Sequence, residues 1–113
     1  MLFRSYDVAL RSIGIHDTAL DDAVRLAKLA VGAGARAIVC SPQEVAAIRA
    51  VVSDDVHLIT PGVRPAGSDA GDQKRIATPQ QAIADGADLV VIGRPITGAA
   101  DPAAAAASIG ASL

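Results

Sequence analysis

Three short apolar runs, each followed by the signal for a turn or a helix, constrain the fold of this chain more than any other feature. The runs cover residues 37–40, 57–60 and 89–92. Continuous apolar runs of this length are typical of strands that are covered on both faces. Because a helical segment separates each run from the next, we expect parallel strands with right-handed crossovers. The sequence therefore predicts an α/β fold with three parallel strands and alternating helices.

Residues that start helices mark the segments between these strands. Ser41 and Glu44 have the spacing of a capping box, which is repeated at residues 78–81, and Asp101 precedes a proline. With glycines as stop signals, we expect helices over residues 6–13 and 20–33, from 41 to about 52, from 78 to about 86, and from 101 onward. The apolar face predicted for the second helix consists of Ala23, Leu26, Ala27, Ala30 and Val31.

The composition excludes several classes of protein. The 113 residues are enough for one domain, residues 1–113, and their net charge of −2 indicates no nucleic-acid partner. No apolar run approaches the length of a membrane span, so we expect no membrane partner. Cys40 is the single cysteine and is expected to be a buried thiol in a cytoplasmic protein. His16 and His57 lack the spacing of metal ligands, so no metal site is expected.

Polar residues and glycines follow the strands, where a ligand site is expected. The carboxyl ends of parallel strands meet at one edge, which is the ligand-binding edge of such folds. A long loop lies there at residues 61–77, and loops of this length in compact domains are usually functional. The candidates for holding a small ligand at this edge are Ser41, Arg64, Gln73, Gly93 and Arg94.

Arginine together with glycine favours a phosphate as that ligand. Arg64 and Arg94 can each bind a phosphate through two parallel hydrogen bonds, and Gln73 adds a neutral donor. Gly93 allows a ligand to approach the backbone closely. Structural alternatives stay open: Arg94 as a solvated side chain after a strand end, Arg64 and Gln73 as solvated loop residues, and Ser41 as the N-cap of its helix.

No group suited to proton-transfer catalysis is evident in the sequence. The only lysines are Lys28, in a predicted helix, and Lys74, in the long loop. No Asp–Lys pair and no closely spaced pair of carboxylates occurs at a strand end. The sequence thus predicts an anion-binding unit with no catalytic residue of its own.

Five ordered motifs resemble the bacterial orotidine 5'-phosphate decarboxylase family. They are Ile38-Val39-Cys40-Ser41-Pro42-Gln43-Glu44, Thr60-Pro61-Gly62-Val63-Arg64-Pro65-Ala66-Gly67, Ala70-Gly71-Asp72-Gln73-Lys74-Arg75, Thr78-Pro79, and Val91-Ile92-Gly93-Arg94-Pro95-Ile96-Thr97 with Ala100-Asp101-Pro102. The resemblance extends from about Gly14 to the end of the chain and is weak over residues 1–13. A hexulose-phosphate synthase relative would share the Gly-Arg pair, but the motifs after residue 60 favour the orotidine branch.

The resemblance implies a fold, an activity and a role for each candidate residue. The family forms a TIM (β/α)8 barrel that converts orotidine monophosphate to uridine monophosphate and carbon dioxide, in pyrimidine synthesis and without a cofactor. This chain resembles its C-terminal half, with strands six to eight. By matching position, Arg64, Gln73, Gly93 and Arg94 are implied to bind the substrate phosphate, and Ser41 to lie near the pyrimidine ring.

The family's catalytic Asp-Lys-x-x-Asp array lies on earlier strands that the chain does not contain. We therefore expect the isolated chain to bind orotidine or uridine monophosphate and to be inactive. Three strands cannot close a barrel of eight, and open strand edges invite pairing. The expected partner is a second copy, in a homo-oligomer, or the missing N-terminal half. The alternative is a non-catalytic half-barrel that binds phosphorylated ligands or assembles with itself.

Overall fold

Helices and strands alternate along the chain in the computed structural model, which describes residues 4–67 and 77–113. The elements in chain order are α1 (Arg4–Ser12), α2 (Ala19–Gly32), β1 (Ala37–Val39), α3 (Val45–Arg49), β2 (His57–Thr60), α4 (Pro79–Ala84), β3 (Leu89–Val90), α5 (Arg94–Thr97) and α6 (Pro102–Ala111).

The three strands form one parallel sheet in the order β1-β2-β3. Val39 lies opposite Ile59, which in turn lies opposite Leu89, and Thr60 lies opposite Val90. All three strands therefore end at the same edge of the sheet. This confirms the predicted α/β arrangement, with β1 and β3 one and two residues shorter than the apolar runs that predicted them.

Helices cover one face of this sheet and form the core with it. Leu58, at the centre of β2, is fully buried, as are Val45 and Ile48 on α3. Ala82 on α4 is also fully buried in the same cluster. Side chains alternate between the two faces of a strand, so this single layer of helices covers only every second residue of β2.

The opposite face of the sheet is largely exposed. Val39 is 69% exposed, Leu89 56% and Val91 53%, and the register places Val39 and Leu89 in one row across the sheet. The prediction that the strands are covered on both faces is therefore wrong for the described chain. The physical reason is that the three strands of the described residues do not curve into a closed barrel, so they do not enclose this face.

The first capping box forms ahead of the helix it was expected to start. The Ser41 amide donates to the Glu44 carboxylate at 3.1 Å, and the Ser41 hydroxyl accepts from the Gln43 amide at 3.3 Å. These bonds close a turn, and α3 begins after it at Val45 and ends at Arg49. The prediction of a helix from Ser41 to about residue 52 is wrong because the turn uses the first residues of that segment.

Two further expectations from the sequence need correction. Leu26, assigned to the apolar face of α2, is 51% exposed, because it is turned toward a groove beside α1 instead of the sheet. Residues 94–97 form the short helix α5, which is absent from the helices predicted above. The other helix starts agree with the sequence: Thr78 accepts from the Gln81 amide, and Asp101 caps α6.

One arginine joins several elements at the amino-terminal edge of the sheet. Arg49, at the end of α3, donates to the carbonyl oxygens of Ser53, Val56 and Gly86 at 3.0–3.1 Å. Its guanidinium also lies 2.6 Å from the Asp88 carboxylate. The turn between α4 and β3 is thereby tied to the segment that leads into β2. Since Arg49 is largely buried, the loss of these bonds would leave several carbonyl oxygens without a donor.

Replacing Arg49 tests the importance of this network for stability. We expect Arg49→Met to lower the free energy of unfolding by about 2 kcal/mol, because hydrogen bonds to a charged group are lost and buried acceptors stay unpaired. Arg36→Met is the control, since Arg36 forms an exposed ion pair with Asp55 and should contribute less than about 1 kcal/mol. Urea unfolding followed by circular dichroism measures both. Equal decreases in the free energy of unfolding in the two variants would contradict the stabilising role given to Arg49.

The Asp88 carboxylate predicts a loss of stability in acid. The hydrogen bond from the Leu58 amide, at 2.8 Å, and the nearby Arg49 guanidinium hold the pKa of Asp88 below its ordinary value of 3.8. A group with a depressed folded-state pKa stabilises the fold above its unfolded pKa, and that stabilisation is lost as the pH falls through the folded value. We therefore expect stability to fall below about pH 4. The fall should be smaller in Asp88→Asn, as measured by urea unfolding at several pH values, and an unchanged acid profile would contradict this.

Candidate phosphate site

Four of the five predicted site residues follow the carboxyl ends of the strands. Ser41 comes after β1, Arg64 after β2, and Gly93 with Arg94 after β3. Because the strands are parallel neighbours, these residues share one edge of the sheet. Gln73 lies outside the described residues, so its predicted role stays a prediction.

The sheet register relates the two arginines directly. Thr60 and Val90 are partners across β2 and β3, and the Val91 amide donates to the Thr60 carbonyl at 2.9 Å. Arg64 lies four residues after Thr60, and Arg94 lies four residues after Val90. The two arginines therefore follow neighbouring strands, each four residues beyond a member of one register pair.

Arg64 is held at the base of the long loop. Its amide donates to the Ala77 carbonyl at 3.0 Å, and Val63 pairs with Ala77 in an isolated parallel bridge. Val63 is only 2% exposed and belongs to the core, while Arg64 is half-buried. The bridge was missed by the sequence reading, although Val63 is the one aliphatic residue between two prolines there. The two legs of the loop therefore meet beside Arg64.

Arg94 begins α5 and is exposed. The Gly93 carbonyl accepts from the Ile96 and Thr97 amides, which fixes the turn on which Arg94 lies. A Cβ added at Gly93 would meet no heavy atom within 4 Å, so the described packing does not itself require glycine there. Space over the Gly93 backbone is therefore open to a ligand.

Ser41 lies in a different environment from the two arginines. It lines a groove of about 680 Å³ between α1, α2 and the turn before α3. Tyr6, Leu20 and Leu26 line the same groove, whereas neither arginine does. Its amide and hydroxyl both take part in the turn described above. The structural alternative for Ser41 thus has direct support, as a turn residue and not as the N-cap of α3.

Cys40 is a core thiol, as expected from its position at the end of an apolar run. It is 6% exposed, and burial raises its pKa above 9.0. A thiol that stays protonated and enclosed is unsuited to nucleophilic catalysis.

A metal-binding cluster and a membrane-crossing helix are both absent from the described residues. Within residues 4–67 and 77–113, no three His, Cys, Asp or Glu side chains are grouped as a metal ion would require. In the same part of the chain, every helix is too short or too polar to cross a membrane.

Comparison with known protein families shows which family this chain belongs to. The model of the "Orotidine 5'-phosphate decarboxylase / HUMPS family" matches residues 9–109. The chain belongs to this family. The match begins inside α1 and runs into α6, so it includes all three strands and the edge on which the two arginines lie.

Curated relatives carry the decarboxylase name. The chain is 63% identical over 107 residues to the orotidine 5'-phosphate decarboxylase of Thermobifida fusca, covering 95% of this chain and 46% of the relative. It is 51% identical to the enzyme of that name from Haemophilus ducreyi, again over 95% of this chain and 46% of the relative. The chain spans about half the length of these relatives. Their names favour the orotidine branch over a hexulose-phosphate synthase relative.

Solved structures confirm that the fold is part of a barrel. The crystal structure of orotidine 5'-phosphate decarboxylase from Lactobacillus acidophilus superposes with a TM-score of 0.78 at 35% identity, covering 98% of this chain and 45% of that one. A protein from Geobacillus kaustophilus described as uncharacterized gives a TM-score of 0.75 at 27% identity. The prediction of a partial TIM barrel with three parallel strands is therefore confirmed.

Proposed function

We propose that this chain is the phosphate-binding part of an orotidine 5'-phosphate decarboxylase, and that the reacting groups come from sequence outside it. The observation that carries the proposal is the matched placement of Arg64 and Arg94 after register partners on β2 and β3. The decarboxylase names of relatives with 51–63% identity supply the substrate class.

In this proposal the two arginines bind one phosphate group of the nucleotide. Each guanidinium offers a planar pair of N–H donors that matches two phosphate oxygens, and two positive charges balance the dianion. The open backbone at Gly93 allows the phosphate to approach, and Gln73 adds a neutral donor. Ser41, whose amide and hydroxyl take part in a turn, faces the pyrimidine.

Phosphate binding contributes binding energy, and the bond-breaking step takes place at the ring carbon of the substrate. In decarboxylation the bond between the ring carbon and the carboxylate breaks, carbon dioxide leaves, and the electron pair on the ring carbon takes up a proton. We assign no residue of this chain to that proton transfer, since the sequence has no Asp–Lys pair at a strand end and Lys28 lies on α2. Binding of the remote phosphate helps to hold the substrate in the reactive geometry. The reaction needs no cofactor, and we propose a cytoplasmic location for it.

Titration with uridine monophosphate tests the phosphate grip. We expect the chain to bind uridine monophosphate in preference to uridine, and Arg64→Ala and Arg94→Ala each to weaken binding about 10- to 100-fold, as the loss of charge-assisted hydrogen bonds predicts. Arg36→Ala is the matched control, because Arg36 is an exposed arginine at the amino-terminal edge of the sheet. Calorimetry supplies the affinities. Unchanged affinity in Arg94→Ala would remove that residue from the site.

The exposed face of the sheet supports a proposal about assembly. Val39, Leu89 and Val91 form an apolar surface beside the open edges of β1 and β3. Such surfaces are costly to leave in water, and the relatives are about twice as long as the chain. We propose that this face is covered in the working protein by further barrel strands, from a second copy or from the missing N-terminal half.

Light scattering coupled to size-exclusion chromatography tests the assembly. The 113-residue chain should elute as a dimer or larger species, and Val39→Lys should shift it toward monomer because a charge is placed on the covered face. Val8→Lys is the control, since Val8 is 67% exposed on α1, away from the sheet. A monomer with a sharp thermal transition would contradict self-association.

A complementation assay separates the two sources of the covering strands. The partner fragment is the portion of the Thermobifida fusca relative that this chain does not match. If a separate half completes the barrel, mixing should yield decarboxylation of orotidine monophosphate that neither fragment shows alone. Mixing without activity, together with a stable dimer of the 113-residue chain, would favour the non-catalytic half-barrel.

A further inference from the structure

We infer that Val63 and Ala77, here called the loop-base pair, position Arg64 for phosphate binding. The inference rests on the proposed function and assigns a positioning role to two aliphatic residues that carry no charge. Its basis is the isolated bridge between them, which lies outside the three-stranded sheet.

The first leg of the loop is anchored in the core by Val63. After β2, Gly62 adopts a φ of +74°, a left-handed conformation that favours glycine and turns the chain. Val63 then returns to the core, where it is 2% exposed. The residue after this anchor is Arg64, so the start of its side chain is set by a buried neighbour.

The second leg is anchored just as firmly. Ala77 is half-buried against the core, and Pro79, two residues later, is fully buried. The Thr78 hydroxyl accepts from the Gln81 amide at 3.1 Å, which fixes the start of α4. The Ala77 carbonyl, which accepts from the Arg64 amide, therefore belongs to a fixed element.

These anchors reduce the freedom that Arg64 must lose on binding a ligand. Ordering a long side chain and its backbone at a binding site is unfavourable, and a site that is already ordered avoids part of that cost. The loop-base pair should thus raise phosphate affinity through Arg64, without itself touching the ligand.

Calorimetric titration with uridine monophosphate, on the full 113-residue chain, tests this role. We expect Val63→Ala to weaken binding about 3- to 10-fold, in line with the entropy of freeing one long side chain. Val56→Ala is the matched control, because Val56 is also a valine with 2% exposure, at the opposite end of β2. It should lower thermal stability to a similar extent and leave the affinity unchanged.

A double-mutant cycle shows whether the effect acts through Arg64. In an Arg64→Ala background, Val63→Ala should change the affinity less than 2-fold, because the positioned group is gone. Ala77→Gly, which loosens the other leg of the loop, should also weaken binding. This variant replaces Val63→Ala in the test if Val63→Ala does not fold. Equal affinities for Val63→Ala and Val56→Ala would overturn the positioning role. So would an undiminished loss of affinity from Val63→Ala in the Arg64→Ala background.

Amide hydrogen exchange of the unmodified chain supplies a test that needs no variant. The bond to Ala77 predicts that the Arg64 amide exchanges slowly, and rapid exchange would overturn the inference. If the unmodified chain binds no uridine monophosphate although its Arg64 amide is protected, the proposed function fails while the anchored geometry stands. If it binds and that amide is unprotected, the positioning role alone fails.

Discussion

The parallel register of β1, β2 and β3 is the constraint on which the rest of the structure depends. Parallel pairing sends every strand in one direction, so the chain must return through a helix each time. It also brings the segments after the strands to one edge of the sheet. The pairing of Thr60 with Val90 then brings the segments that carry Arg64 and Arg94 to neighbouring positions along this edge. A shift of one residue in this pairing would turn buried side chains to the open face.

The two edges of the sheet have different roles. At the amino-terminal edge, the Arg49 guanidinium and the Asp88 carboxylate tie turns together through several hydrogen bonds. At the carboxyl edge, Arg94 is exposed and Arg64 is half-buried. Barrels of this kind place stability at one end and ligand binding at the other. Substitutions at the site can therefore alter ligand affinity and leave the contacts between the strands intact.

Much of the fold was predictable because local signals agreed with the tertiary structure. The residues of β2 matched the predicted run, and Thr78 and Asp101 cap their helices as the sequence indicated. Predictions failed where they depended on what covers an element. An apolar run does not reveal whether a second layer of structure lies over it, and Val39 is exposed for that reason. The exposure of Leu26 has the same origin, because helical periodicity identifies a face without its neighbours.

The candidate site shows the same division between local and long-range information. The position of Ser41, Arg64, Gly93 and Arg94 after strands followed from the order of motifs along the chain. The bridge between Val63 and Ala77 did not, because it joins residues on the two sides of a long loop and has no periodic pattern.

A crystal structure of the chain with bound uridine monophosphate tests the central claim most directly. The account predicts that the guanidinium groups of Arg64 and Arg94 contact oxygens of the same phosphate, with nitrogen–oxygen distances of about 2.7–2.9 Å. A phosphate bound to neither arginine, or held instead in the groove beside Ser41, would contradict it.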